Sequence, residues 1–140
     1  MKPKYKKAHM KAAHIYAELS HARRLKVGAL IVKDDRIISI GYNGMPSGWD
    51  NNCELEDKDG SLRTRPEVLH AESNALAKLA RSTESGLNSD LFVTHSPCLD
   101  CAKLIYQSGI KRVYYADAYR DNAGIDFLRA SGIQVEKLDE

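Results

Sequence analysis

Apolar positions along this chain keep two rhythms, a helical one and short unbroken runs. Ala8, Ala12, Ile15, Tyr16 and Leu19 recur at helical spacing with Lys7 and Lys11 outside them, which predicts an amphipathic first helix packed through that stripe. Val27–Val32 and Arg36–Gly41 are short runs rich in β-branched residues, and Lys33-Asp34-Asp35 joins them as a hairpin connection. From Tyr42 to Pro66 periodicity fades and turn residues crowd in, so this stretch reads as a long loop of functional character lying just before His70. The rhythms then alternate. A helix runs from His70 to about Arg81, a strand follows at Leu91–Thr94, and Pro97 opens a helix that ends at Gly109. Arg112–Ala116 is a strand, Ile125–Ala130 a helix and Ile133–Val135 a last short strand. A hairpin followed by alternating helices and strands predicts an α/β layered fold with a mixed sheet, in one domain over residues 1–140.

Composition narrows the setting. An apolar content of 43% and a charged content of 29% are those of an ordinary globular protein. No apolar run approaches the roughly 20 residues that cross a bilayer, and the opening Met1–Lys7 leads into no signal-type apolar stretch. A cytoplasmic protein without membrane partners is expected. The net charge of +2 demands no nucleic acid. Eight lysines and arginines within the first 26 residues give either a solvated face or a nucleic-acid arm.

Three cysteines without a secretion signal favour metal or catalytic use over disulfides. Two of them stand in Pro97-Cys98-Leu99-Asp100-Cys101, and His70-Ala71-Glu72 lies upstream. Cys98 and Cys101, three apart on a helix start, face one side, where the helix dipole favours the thiolates that bind metal. Together with His70 they make three protein ligands for Zn2+ and leave a fourth position open, the pattern of a catalytic site. Glu72 is the carboxylate left over for acid–base work. Residues two apart point to nearly opposite sides of a helix, a tension that eases if His70 sits at the helix end. The bland alternatives are a zinc-knuckle-like staple, or a buried histidine with unrelated cysteines. Asn43-Gly44 reads either as a ligand-binding amide or as a turn, and one of Tyr114 and Tyr115 belongs to the core. Cys53 has no clear ligand partners and reads as a free thiol. His95 reads as a neighbour of the metal site and not as a ligand.

The H-x-E and P-C-x-x-C elements resemble those of the zinc-dependent cytidine/deoxycytidylate deaminase superfamily, over nearly the whole chain. Within it, Val27-Gly28-Ala29, Gly41-Tyr42-Asn43-Gly44, Pro46, Gly48, the loop into Arg65–Glu72, and Tyr115…Tyr119-Arg120-Asp121 resemble the deoxycytidylate (dCMP) deaminases. The resemblance implies a three-layer α/β/α fold around a mixed sheet of about five strands. It implies one catalytic Zn2+ on His70, Cys98 and Cys101, with Glu72 as proton shuttle in the hydrolytic deamination of dCMP to dUMP. With that substrate, Asn43 would meet the deoxyribose, Tyr115 and Tyr119 would border the base or sugar, and Ala71 and Ser96 are further candidate contacts. A nucleotide monophosphate needs cations, and Arg24 and Lys26, at the helix-to-strand junction near the Asn43 end of the hairpin, are the candidates, with a plain surface charge as the bland alternative for each. The resemblance further implies a homohexamer activated by dCTP and inhibited by dTTP, with Mg2+ accompanying the triphosphate. The competing readings are an RNA-editing adenosine or cytidine deaminase, a riboflavin-pathway deaminase, and a non-catalytic zinc-stapled binding module.

Overall fold

The computed structural model describes residues 1–118 and 121–138. Its frame is one five-stranded sheet, in the order β2-β1-β5-β6-β7. β1 (Gly28–Lys33) and β2 (Arg36–Tyr42) form the expected hairpin. Its two-residue turn places Asp34 and Asp35 at φ 51° and 60°, the left-handed pair that matches the twist of antiparallel strands. β1 also runs antiparallel to β5 (Asp90–His95), while β5, β6 (Arg112–Asp117) and β7 (Gln134–Lys137) are mutually parallel.

Three helices link or flank these strands on one face: α2 (Ala71–Ala80), α3 (Leu99–Gln107) and α4 (Ala123–Ala130). α1 (Pro3–Ala17) covers the other face. The result is the expected three-layer α/β/α arrangement around a mixed sheet. Side chains of the central strands alternate between the layers. Ala29, Ile31, Leu91, Val93, Val113 and Tyr115 enter the core beneath α2–α4, whereas Leu30, Val32, Phe92, Tyr114 and Ala116 enter the core beneath α1. Burial on both faces is why these strands read as unbroken apolar runs. Phe92 stacks on Tyr114 with ring centroids 4.7 Å apart.

Two expectations need correction. The buried face of α1 is Met10, Ala13 and Ala17, with Ala12 and Tyr16 of the expected stripe half-buried against the same core, whereas Ile15 and, just past the helix, Leu19 are 61% and 53% exposed. Short alanines let this helix lie close to the strands, and the larger aliphatics turn outward. The stretch from Tyr42 to Pro66 is also not wholly loop. It contains a small antiparallel hairpin, β3 (Glu54–Glu56) with β4 (Leu62–Thr64), closed by the turn Asp57–Ser61.

Candidate active site

The carboxyl end of β5, the end of β2 and the start of β1 meet at one edge of the sheet, where Gly28 pairs with Tyr42 and Ala29 with Val93. Clefts of α/β proteins form outside such strand ends. His70 is the N-cap residue of α2, with φ −72° and ψ 157°, and Cys98 is the N-cap of α3, with φ −70° and ψ 169°. Both therefore precede the helical repeat. That extended geometry lets His70 and Glu72 serve one site although they are two apart. Neither N-cap side chain bonds its own helix, so imidazole and thiol stay available.

His70 Nδ1 lies 3.5 Å from Cys98 Sγ and 3.3 Å from Cys101 Sγ, and the three donor atoms all fall within 4.8 Å of one another. Zn–S bonds of about 2.3 Å and Zn–N bonds of about 2.0 Å, at tetrahedral angles, put nitrogen and sulfur about 3.5 Å apart. The set fits Zn2+, and among the described residues it is the one cluster of His, Cys, Asp and Glu with such spacing.

Glycine packing fixes both helix starts. A Cβ on Gly41 would strike the Ala71 carbonyl and the Ala75 amide, so only glycine in β2 lets α2 seat there. A Cβ on Gly124, at the start of α4, would strike Pro97 O and the Cys98 backbone. Ser39 Oγ donates to Ala75 O at 2.7 Å and Asn74 Nδ2 to Tyr42 O at 3.0 Å, tying α2 to β2 further.

Glu72 is 4% exposed, and burial pushes its carboxyl up to about 7 against the opposing pull of His70. Cys98 is drawn down to about 4 by hydrogen bonds from the Cys101 thiol and His70, while Cys101 is held up by the same partner thiol and by burial. His70 is raised, chiefly by its hydrogen bond to Cys98.

A cavity of about 350 Å³ opens beside the ligand set, large enough for a small ligand. It brings together Arg24, Asn43, His70, Ala71, Glu72 and Cys98 of the sequence-predicted residues, and adds Cys53, Glu54, Thr64 and Val68. Cys101 is buried behind it. The other candidates lie elsewhere. Lys26 is exposed and outside the lining, Ser96 is fully buried, and Tyr115 is 7% exposed within the core beneath α2–α4. Tyr119 lies outside the described residues.

Asn43 is already engaged, its Oδ1 accepting the Val27 N–H at 2.8 Å and its Nδ2 donating to Leu25 O at 2.8 Å. One amide hydrogen and one lone pair remain for a ligand. Neither Asn43 nor Gly44 has positive φ, so the pair is not a left-handed turn. Cys53 is a buried free thiol, raised by burial. His95 stands outside the donor set, with Nε2 3.9 Å from Asp117. Sequence reading missed Glu54 and Thr64, whose one signal was their place in the long stretch before His70.

Residues 3–117 match the family model of the cytidine and deoxycytidylate deaminase zinc-binding region. The chain is 37% identical over 135 residues to ComE operon protein 2 of Bacillus subtilis, covering 93% of this chain and 69% of that protein. It is 33% identical over 165 residues to the deoxycytidylate deaminase of Enterobacteria phage T4, covering 90% and 86%. The crystal structure of the cyanophage S-TIM5 dCMP deaminase, in complex with dCMP and dUMP, superposes with a TM-score of 0.92 at 52% identity over 99% of both chains. By its site, its fold and these likenesses, the chain belongs to the zinc-binding cytidine and deoxycytidylate deaminase family.

Proposed function

We propose that this chain hydrolyses dCMP to dUMP and ammonia, feeding thymidylate synthesis, as a single domain over residues 1–140. One observation carries this reading: a single cavity is lined by His70, Cys98 and Glu72 and also by Asn43 and Arg24. Metal and acid–base chemistry for the base thus shares a space with an amide and a guanidinium suited to sugar and phosphate. Similarity to a dCMP- and dUMP-bound cyanophage enzyme supports it.

His70, Cys98 and Cys101 would hold the ion, which when bound supplies Lewis-acid activation of water. Two thiolates cancel the ion's charge and weaken that activation, so a base is needed beside it. Glu72 is that base. Its carboxylate takes one proton from the water and delivers it to the ring nitrogen, then takes the second from the new hydroxyl on the ring carbon and passes it to the amine, which departs as ammonia while the carbonyl forms. A carbon–oxygen bond forms and the exocyclic carbon–nitrogen bond breaks, with one water consumed. Burial keeps the carboxyl close to neutrality, so both protonation states are within reach during a cycle. Arg24 offers charge to the phosphate, and Asn43 its remaining amide hydrogen and lone pair to the deoxyribose.

A second cavity of about 230 Å³, walled by Tyr42–Trp49 with His21, Asn74 and Lys78, shares Asn43 and Cys53 with the first. We assign it to the triphosphate effectors, dCTP activating and dTTP inhibiting, with Mg2+ on the triphosphate. The homohexamer belongs to the same reading and rests on the resemblance of the sequence, while the cytoplasmic setting rests on the lack of a signal-type or membrane-length apolar run in the sequence. Among the described residues no helix is long and apolar enough to cross a membrane.

Product formation from dCMP, dCTP, deoxycytidine, cytidine and a stem-loop RNA, measured side by side, tests the substrate. Preference for dCMP is expected. Turnover of the RNA without turnover of dCMP would establish the editing alternative. No turnover of any of them by zinc-loaded protein would leave the binding-module reading, which has no use for a buried Glu72.

A further inference from the structure

We propose that the β3–β4 hairpin is a positioning device for the substrate's phosphate cation, with Glu54 fixing the backbone at Arg24 and Thr64 fixing its guanidinium. The inference rests on the dCMP reading of the cavity and deepens it.

Between α1 and β1 the chain has no regular structure, so its amides need partners from elsewhere. Glu54 Oε2 accepts the N–H groups of two consecutive residues, Arg23 at 2.9 Å and Arg24 at 3.1 Å. Asn43 holds the same segment one and three residues beyond Arg24, through Leu25 O and the Val27 N–H. Arg24 therefore sits on a short piece of backbone clamped on both sides. Its side chain is held as well, Nη1 donating to Thr64 Oγ1 at 3.1 Å. Arg24, Glu54 and Thr64 all line the cavity that holds Glu72 and the metal-ligand candidates.

Charge is divided in a way that suits an anion. Glu54 is 2% exposed, and a buried carboxylate needs a counter-charge. Arg23 supplies it, with Nε 3.5 Å from Glu54 Oε1. Arg24 instead leans on a neutral hydroxyl, which orients its guanidinium without neutralising it. An arginine that clamps a phosphate gives up rotamer freedom. One already restrained by Thr64 gives up less when the ligand arrives, which is preorganisation. Glu54 Oε1 is sealed from solvent, so Glu54 acts through Arg24 and not on the substrate.

The test is steady-state kinetics on dCMP and on deoxycytidine, which lacks the phosphate, for wild type, Glu54→Ala, Glu54→Gln, Thr64→Val, Arg24→Ala and the Glu54→Ala/Arg24→Ala pair. Glu54→Ala should raise KM for dCMP about tenfold with kcat within about threefold, so that preference for dCMP over deoxycytidine drops by about the same factor. Glu54→Gln should recover most of the loss, because its carbonyl oxygen can accept the same two N–H groups. The double variant should be no worse on dCMP than Arg24→Ala alone, since both changes remove one function. Equal losses on both substrates, or losses that multiply in the double variant, would overturn the proposal. If Glu54→Ala does not fold, Thr64→Val decides: a raised KM for dCMP with weakened preference supports the proposal, and an unchanged KM overturns it. A wild-type protein with no preference for dCMP defeats the substrate reading and this proposal together. A preference that survives Glu54→Ala defeats this proposal alone.

Discussion

Glu72 and Cys98 line the same cavity, yet their replacement should fail in opposite ways. Glu72→Ala leaves His70, Cys98 and Cys101 in place, so zinc content and melting temperature should hold while dCMP turnover falls by about two or more orders of magnitude. Turnover near wild type in a zinc-loaded Glu72→Ala protein would remove Glu72 from the proton path. Cys98→Ser takes away one of the two sulfurs in the donor set, so zinc per chain after dialysis should fall below the wild-type value, read by metal analysis. Undiminished zinc would strike Cys98 from the ligand set. These residues were legible because ligand chemistry demands fixed residue types at fixed spacing: His70 with Glu72, and Cys98 with Cys101. Glu54 and Thr64 were not. They reach Arg24 across 30 and 40 residues of chain, and a hydrogen bond between distant segments leaves no periodic trace. Asn43 drew notice for its amide, but nothing in the sequence disclosed that Leu25 and Val27 already occupy half of it.

At the scale of elements, what periodicity could reveal was set by burial. The central strands β1, β5 and β6 are packed on both faces and stood out as apolar runs. The strands β3 and β4 have three residues each and are largely exposed, so no hydrophobic alternation marked them. In α1 the period was right and the phase shifted, because the face nearest the sheet is made of alanines and one methionine, with Ala12 and Tyr16 at its margin, while Ile15 sits in solvent. Contact of backbone with backbone leaves another weak trace, a lone glycine. Gly41 is the instructive case, since the first turn of α2, which carries Glu72 and follows His70, rests directly on it. Gly41→Ala should force α2 away from β2 and lower stability by about 1–3 kcal/mol, as overpacking does. It should also reduce turnover, because His70 and Glu72 move with the helix. Urea midpoints and dCMP rates measured on one preparation would show both, and a variant with the wild-type midpoint would mean that the contact is loose.

On the scale of the whole molecule, the two cavities share a wall, and that wall is hydrogen-bonded to the segment that bears Arg24. Asn43 borders both spaces. Its side chain grips Leu25 and Val27, and its carbonyl accepts the Ser20 hydroxyl at 2.7 Å. A ligand that displaces Tyr42–Trp49 must therefore shift or release the segment bearing Arg24. A ligand acts on an equilibrium only through its differential affinity for two states, and this connection gives the second cavity a physical means of having one. Lys78 lines that cavity, stands 5.4 Å from the Tyr42 ring centroid, and is remote from the zinc ligands in role. With Mg2+ present, rising dTTP should raise the apparent KM for dCMP. Lys78→Ala should need at least about tenfold more dTTP for the same effect, the loss of roughly one charged contact. Turnover at sub-saturating dCMP, titrated with dTTP for both proteins, reads the shift directly. A flat response of the wild type at saturating dTTP would exclude regulation through this wall, and equal sensitivity in the two proteins would place the effector outside the second cavity.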